Sequence, residues 1–543
     1  MSQELQRGTK RVIANYTRLL TTFVFGIIVV PLTIRWLGDD SFGIISLLGA
    51  NIGLAGIFRQ IIQMSLVREL GHGYHAADPS VFRKSYATIC LITIICALLS
   101  VLSFAAVFLL IPVFRIPEAY LGAARWFVIG QGLYTLVLVL TAPLFNMYLV
   151  KERFIEYNFW YVMVRLGNLI SVLLLGYAIV IDDPVRGLAL HGMTWAGISS
   201  LALIIASSVM VYQEKRLIPT LRGADKDTRS QVVSTFSWNT GVQVAMNLHE
   251  QIPPVLLNLF GGTLANAAWG VGFRFVAYIR MCTTGIQFGS DAVSARLASG
   301  SDDEASRIKL QRLVGVQTKL TTVIALPAAV LIFFYGWPIF HVWVGHSVTD
   351  YDAVMPVAVN MSKILSVALL ARAISETWLL ILYGSGYVRQ YAPWIFMGGI
   401  IAPVGSVILM LSVPDHLVVY MPPIMFAIVL STVHLFGLPI IVAKCLHIRA
   451  SALLSSLVRP VVVSVISIGA AALVLAMSNE IGTVGFKQEI SRAGGDEINY
   501  YWVTLSMIVF AVMYSVLTYW FVLGDIEKAR FTGLFIRTKQ NDT

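Results

Sequence analysis

Nine basic side chains fall inside stretches of this sequence that are otherwise apolar, and they are its clearest candidates for chemistry. A positive charge at the centre of a membrane-spanning helix costs roughly 2.5–3.5 kcal/mol, so such residues are usually functional. Only three acids, Glu250, Asp291 and Glu376, lie in the same stretches. The surplus of positive charge predicts a hydrated cavity or a bound anion.

Some of these cations have ordinary structural explanations. Arg18, Lys319 and Arg459 lie toward helix ends and can extend to water, while Arg372 and Glu376 are four residues apart and fit a salt bridge. The deeply placed cations are Arg59, Arg165, Arg274, Arg280 and Lys363.

Carboxamide side chains recur in "STFSWNTGVQVAMNLHEQIPP", where Asn239, Gln243, Asn247 and Gln251 are four residues apart. Residues with this spacing share one helix face, and lipid cannot satisfy a polar face. A polar seam that joins helices is the alternative, but the surplus of arginines favours a cavity. We predict that these residues bind the substrate: Arg18, Arg59, Arg165, Asn239, Gln243, Asn247, Arg274 and Arg280.

Long apolar elements must position these side chains. The chain is 57% hydrophobic and 13% charged, with a mean hydropathy of +0.77, which predicts an all-α polytopic membrane protein. A spanning helix needs about 20 apolar residues, and fourteen segments qualify. They are 12–37, 41–67, 85–112, 120–149, 155–180, 188–212, 231–259, 264–292, 313–335, 354–383, 388–412, 417–444, 452–477 and 500–523.

The loop charges predict the orientation. Of the 39 Lys and Arg residues, 24 lie in segments on one side of the predicted spans and six on the other. Since basic loops stay inside, both termini are expected in the cytoplasm, with the protein in the cytoplasmic (inner) membrane. The net charge of +10 follows from this bias, so no nucleic-acid partner is expected.

An internal repeat divides the chain. Pro31 is followed by Gly38 and then the pair Phe42-Gly43, while Pro254 is followed by Gly261 and then Trp269-Gly270. The match predicts two six-helix lobes related by an axis along the membrane normal. The predicted divisions are an N-terminal lobe at 1–222, a C-terminal lobe at 223–450, and two further helices with a cytoplasmic tail at 451–543.

The chain lacks a phosphate-binding P-loop, so an ion gradient, the membrane potential or the substrate gradient must drive any transport. Glu250 and Asp291 are candidates for coupling to Na+ or H+. The alternatives are that Glu250 neutralises Arg274 and that Asp291 pairs with Arg296. Pro31, Pro253 and Pro254 are hinge candidates, with a fixed kink as the alternative. We expect no cofactor and no metal site, because the cysteines lack ligand spacing and proline replaces the second ligand after His249-Glu250.

Three segments carry a family resemblance. They are "PLTIRWLGDDSFGIISL" from Pro31, "NMYLVKERF" at 146–154 and "FFYGWPIFHVWVGHSV" at 333–348. They resemble the polysaccharide-transport (Wzx-type) flippases of the multidrug/oligosaccharidyl-lipid/polysaccharide (MOP) exporter superfamily, which includes the related lipid II flippases. The resemblance implies two rocking lobes that carry a polyprenyl-diphosphate-linked oligosaccharide outward, with arginines holding the diphosphate.

Lipid II flippases carry arginines on their first, second and eighth helices. By helix these would correspond to Arg18, Arg59 and Arg274. The resemblance further implies that the last two helices form a groove for the lipid tail, with a passive packing role as the alternative.

A transporter, rather than an enzyme, is therefore expected, acting on O-antigen-type intermediates of surface polysaccharide biosynthesis. The alternatives are an ion-coupled multidrug exporter of the same superfamily and a membrane enzyme acting on lipid-linked sugars. The expected partners are the lipid-linked oligosaccharide and membrane lipids. We expect a monomer, with a polysaccharide polymerase or ligase as a candidate partner.

Overall fold

The structure is a computed structural model that describes residues 2–55, 70–71, 74, 78–179, 182–221, 226–287, 290–298, 304–477, 500–525 and 528. It describes the backbone alone at 2–15, 50–55, 226–240, 243, 292, 296 and 452. Within these ranges the ordered elements are helices, with no β-strand. Twelve helices there are long and apolar enough to cross a membrane, so the chain is a multi-pass membrane protein.

The first six helices are α1 Ser2–Ala55, α2 Pro79–Leu110, α3 Glu118–Val150, α4 Phe154–Leu173, α5 Pro184–Gln213 and α6 Lys226–Gln287. The others are α7 Ser290–Ala298, α8 Glu304–Phe340, α9 Tyr351–Gly384, α10 Val388–Ser412, α11 Asp415–Val418, α12 Met421–Ser431, α13 Leu438–Leu446, α14 Ala450–Met477 and α15 Tyr500–Leu517. Turns of π-helix extend α4, α8, α12 and α15 at Leu174–Ala178, His341–Gly345, Thr432–Gly437 and Thr518–Val522.

Aspartate-proline pairs set the start of two helices. Asp78 accepts a hydrogen bond of 2.8 Å from the Ser80 N–H before α2, and Asp183 accepts one of 2.9 Å from the Val185 N–H before α5. Each aspartate satisfies an N–H that has no partner within its helix, and the following proline has none to satisfy. The Asp-Pro pairs in the sequence therefore determine where these two helices begin.

The difference between twelve helices and the fourteen predicted spans lies in α1 and α6. Within the described residues, each runs from one predicted span into the next, and its backbone leaves the helical conformation at one glycine. The dihedrals are φ 79°, ψ 166° at Gly38 and φ 75°, ψ −169° at Gly262. A side chain is disfavoured at such a positive φ. The equivalent of Gly38 is thus Gly262, one residue beyond the predicted Gly261, and the count of fourteen stays a prediction.

The helical segments that follow these two glycines pack directly against each other. A Cβ atom added to Gly43 would lie 2.1 Å from the Thr263 carbonyl oxygen, and one added to Gly270 would lie 2.8 Å from the Ser46 Oγ. Neither position has room for a side chain, so the two backbones approach closely. The repeat seen in the sequence therefore marks a reciprocal contact.

The described chain divides into two compact units of three segments each. The first comprises Met1–Phe275, Trp343–Met361 and Val388–Val429, and the second comprises Val276–Val342, Ser362–Tyr387 and Leu430–Thr543. The division at residues 222 and 450 stays a prediction.

In the first unit, small residues bring α3, α4 and α5 together. A Cβ atom on Gly130 would lie 2.5 Å from the Gly192 carbonyl oxygen, and one on Gly167 would lie 2.2 Å from the Ser199 Oγ. The same Ser199 hydroxyl donates a 3.0 Å hydrogen bond to the Val164 carbonyl. Close backbone approach of this kind is how helices associate where apolar burial gives no advantage over lipid.

The segment between α8 and α9 is held onto α1. The Trp343 indole donates a 2.8 Å hydrogen bond to the Ile27 carbonyl. Asp39 accepts hydrogen bonds of 2.9 and 2.7 Å from the N–H groups of Thr349 and Asp350, where α9 begins. Trp343 and Asp39, which come from two of the segments that carry the family resemblance, therefore have structural roles here.

In the second unit, α14 and α15 pack against each other and against α8. The Ser506 hydroxyl donates a 2.9 Å hydrogen bond to the Ala471 carbonyl and also contacts the Tyr335 hydroxyl. The Tyr514 hydroxyl donates a 3.0 Å hydrogen bond to the Val323 carbonyl. The last two predicted helices thus form a bundle with α8, and their role as a lipid groove stays a prediction.

Candidate functional site

The first unit contains a partly open cavity of about 350 Å³. This volume lies at the lower end of the roughly 300–1,000 Å³ found for small-ligand sites. Its lining side chains come from α1, α3, α4, α5 and α6. They are Thr22, Phe25, Gly26, Val29, Ile45, Gly49, Phe127, Gln131, Tyr134, Thr135, Val164, Arg165, Asn168, Trp195, Asn247, Gln251 and Arg274.

The charge of this lining is positive. Arg165 on α4 and Arg274 on α6 belong to it, and the lining residues include no acid. The Arg165 side chain is exposed to the cavity, and Arg274 is half-buried with its guanidinium carbon 5.3 Å from the Phe42 ring centre. Two guanidinium groups in one cavity favour an anionic guest over a cationic one.

Tyr161 contacts both Arg165 and a third arginine, Arg18, which lies beside the cavity. The Arg165 Nη2 donates a 3.1 Å hydrogen bond to the Tyr161 hydroxyl, and its guanidinium carbon lies 5.4 Å from that ring centre. The Arg18 guanidinium carbon lies 5.0 Å from the Tyr161 ring centre and 5.9 Å from that of Tyr157. Each cation–π contact is worth about 0.5–2 kcal/mol, so the tyrosines offset part of the repulsion between the arginines.

Four carboxamides complete the polar lining. Asn247 and Gln251 are four residues apart on α6 and belong to the predicted polar stripe. Gln131 on α3 is only 3% exposed, yet its Nε2 has no hydrogen-bond partner among the described residues. The Oδ1 of Asn168 on α4 also lacks one within the described part of the chain.

No protein-family model and no curated protein matches this sequence. Solved structures match its fold. An inward-facing multidrug resistance MATE family transporter of the MOP superfamily has a TM-score of 0.63 at 12% identity, covering 82% of this chain and 99% of that chain. Lipid II flippase MurJ in an inward closed conformation has a TM-score of 0.63 at 12% identity, covering 94% and 98%. A MATE structure in a bent conformation gives 0.57 at 13% identity, covering 84% and 98%.

The chain has the fold of MOP-superfamily transporters. At identities of 12–13% these likenesses establish the fold alone. The matched proteins are named as transporters and a flippase, and the expectation that this chain is not an enzyme stays a prediction. The narrower polysaccharide-transport family has no sequence match and stays a hypothesis.

The residues predicted to bind the substrate fall into four groups, of which Arg280 is the last. Arg165, Asn247 and Arg274 line the cavity of this MOP-fold protein. Arg18 lies next to it through the shared tyrosine. Arg59 and the side chains of Asn239 and Gln243 lie outside the described residues. The structure thus brings four of the eight predicted residues to one place.

Arg280 lies elsewhere, in the second unit. Its Nε is 3.5 Å from a carboxylate oxygen of Glu376, and both side chains are about one-third exposed, at 33% and 30%. The sequence predicts Arg372 as the salt-bridge partner of Glu376 because the two are one helical turn apart. The ion pair between Arg280 and Glu376 joins two different helices, and a pair of Glu376 with Arg372 stays a prediction.

The predicted coupling and hinge residues lie outside the cavity lining. Glu250 is half-buried on α6, and Asp291 lies on α7. Pro31 is inside α1, while Pro253 and Pro254 are inside α6. The backbone breaks in these helices fall at the glycines and not at the prolines, so a gating role for the prolines stays a prediction.

Sequence reasoning missed several members of the lining, among them Gln131, Tyr134, Asn168 and Trp195. A signal existed for two of them, because Gln131 and Asn168 are isolated carboxamides within predicted spans. Asn168 also follows Arg165 by three residues, which places both on one helix face.

Proposed function

We propose that this protein is a flippase that moves a polyprenyl-diphosphate-linked oligosaccharide from the inner to the outer leaflet of the cytoplasmic membrane. The cargo would serve cell-surface polysaccharide biosynthesis. The observation that carries the proposal is the cavity, where Arg165 and Arg274 stand among carboxamides with no acid in the lining. Arginine suits a diphosphate because its planar fork binds two phosphate oxygens at once and stays charged in a site of low dielectric constant.

The size of the cavity limits which part of the cargo it receives. A space of about 350 Å³ suits the diphosphate and the adjoining sugar, and not the polyprenyl chain. The chain would remain in lipid while the polar head crosses, which is the part that the bilayer resists. Alternating access of the cavity to the two sides would complete the transfer.

The multidrug exporter is the second candidate, and the fold match to MATE transporters supports it equally. A cavity for cationic drugs would require acidic side chains, whereas this lining has arginines instead. Lipid II flippase MurJ also matches more of this chain, 94% against 82%. Both observations favour the flippase.

The remaining features of the proposal concern its setting. We infer coupling to Na+ or H+ through Glu250, with Asp291 as the second candidate. We also infer a monomer with both termini in the cytoplasm and contacts to a polysaccharide polymerase or ligase. Replacing Glu250 by glutamine should alter the dependence of transport on pH or Na+, and unchanged dependence removes it from that role.

The proposal is tested with purified protein in proteoliposomes. The cargo is a fluorescent lipid-linked diphosphate oligosaccharide, and a cationic dye serves as the competing cargo. Movement of the anionic lipid without the dye supports the flippase. Export of the dye without movement of the lipid supports the multidrug exporter.

A further inference from the structure

Gln131 is a buried polar side chain that its own protein leaves unsatisfied. It is 97% buried, with a relative exposure of 3%, and it lines the cavity, yet its Nε2 has no hydrogen-bond partner in the described ranges. Buried polar atoms are almost always hydrogen-bonded, because leaving them unbonded is costly. The amide Nε2 is therefore available to donate a hydrogen bond to a ligand in the cavity.

Asn168 supplies the complementary atom. Its Oδ1 is a buried acceptor that finds no donor among the described residues, and it lines the same cavity. It stands three residues from Arg165, so the neutral acceptor and the cation lie on one face of α4, roughly 5–6 Å apart at their Cβ atoms. An unused donor and an unused acceptor thus line the same cavity as a positive charge.

Three aromatic side chains belong to the same lining. Phe127 and Tyr134 lie on the face of α3 that carries Gln131, and Trp195 comes from α5. The rings of Phe127 and Trp195 are 6.4 Å apart at an angle of 61°. Aromatic faces accept the C–H groups of a ligand, while its polar groups bond to the amides.

We propose that Gln131 and Asn168 form a subsite for the sugar ring next to the diphosphate of the cargo. This inference rests on the proposed function and identifies the first sugar ring as the part of the cargo that the subsite binds. A hydroxyl group both donates and accepts, so a polyhydroxylated ring satisfies both amides at once. A phosphate group alone only accepts and would leave the Asn168 Oδ1 unbonded.

The test measures binding to the full chain in lipid nanodiscs with two probes. One is farnesyl diphosphate, and the other is farnesyl diphosphate that carries a single glucose or N-acetylglucosamine. We expect the unaltered protein to bind a sugar-bearing probe at least tenfold more tightly. In Gln131→Leu and Asn168→Leu this preference should fall to within about threefold, with the affinity for farnesyl diphosphate unchanged.

Gln287 provides the matched control. It is also 3% exposed, but its Nε2 donates to the Ala373 carbonyl at 2.7 Å inside the protein. Gln287→Leu should keep the tenfold preference, and Gln131→Asn, a milder change, replaces Gln131→Leu if the leucine variant does not fold.

The outcomes separate the subsite from the proposed function. Equal binding of the probes by the unaltered protein overturns the subsite and leaves the flippase standing. Loss of affinity for both probes in Gln131→Leu also overturns it, because Gln131 would then act on the shape of the cavity. Failure to bind either probe overturns the proposed function, and the subsite with it.

Discussion

Replacing Gln131 by leucine should leave the ligand-free protein at least as stable, whereas the same change at Gln287 should destabilise it. Both amides are 3% exposed. The Gln287 Nε2 donates hydrogen bonds of 2.7 and 3.3 Å to the Ala373 carbonyl and the Thr377 hydroxyl, while Gln131 Nε2 has no partner among the described residues. The two sites are therefore equally buried, but only Gln287→Leu removes hydrogen bonds within the protein.

The expected magnitudes follow from this difference. Two internal hydrogen bonds at about 0.5–1.5 kcal/mol each give a loss of about 1–3 kcal/mol for Gln287→Leu. Removing an unsatisfied buried donor at Gln131 relieves a penalty of about 1–3 kcal/mol, against which stands any strain from the altered side-chain shape. The two variants should differ by at least about 1 kcal/mol.

The assay is thermal unfolding of purified, ligand-free protein in detergent, with both variants prepared in parallel. We expect a lower midpoint for Gln287→Leu and an unchanged or higher one for Gln131→Leu. A fall of equal size in both variants would mean that Gln131 has an internal partner. The argument that its amide awaits a ligand would then be wrong.

Three further predictions concern packing, the arginine pair and a helix start. Gly43→Ala should lower stability by about 1–3 kcal/mol, because the added Cβ would lie 2.1 Å from a backbone oxygen. Gly197→Ala is the control, since no atom lies within 4 Å of its added Cβ, and equal unfolding midpoints for the two variants contradict the close contact. Tyr161→Leu should weaken binding of the diphosphate lipid more than Tyr161→Phe, which keeps the ring between its arginine neighbours; equal binding by the two variants contradicts this. Hydrogen bonds from the Ser80 hydroxyl and N–H lower the pKa of Asp78. The ionised carboxylate therefore adds a small stabilisation to the folded protein, which is complete above the unfolded-state pKa and is lost as pH falls through the lowered value. Asp78→Asn should remove this dependence of the unfolding midpoint on acid pH, and an unchanged dependence contradicts the assignment.

The membrane fold could be predicted because it depends on the local composition of each segment. Long apolar runs must become helices in lipid, since the backbone has no other way to satisfy its polar groups. The kinks were harder to place. The sequence has two adjacent glycines, Gly261 and Gly262, and nothing local decides which of them takes the positive φ. The repeat in the sequence therefore matches Gly38 with Gly261, whereas the structure matches it with Gly262.

The cavity could be predicted only in part, for a related reason. Depth within an apolar run identified Arg165 and Arg274, because intramembrane charge is rare. Periodicity identified the stripe on α6. The partner of Arg280 is Glu376, on another helix, and such a pair cannot be read from spacing. Gln131 belongs to no repeating pattern, so only the folded chain shows that it faces the cavity.

The central claim is that the cavity arginines hold an anionic lipid headgroup during its transfer. The decisive measurement is flipping of the fluorescent lipid-linked diphosphate oligosaccharide in proteoliposomes by Arg165→Gln, Arg274→Gln and, as a control, the exposed Arg459→Gln. Since a hydrogen bond to a charged group is worth about 1.5–3 kcal/mol, each cavity variant should flip at least tenfold more slowly, with the control unchanged. Unaltered flipping by both cavity variants would contradict the account.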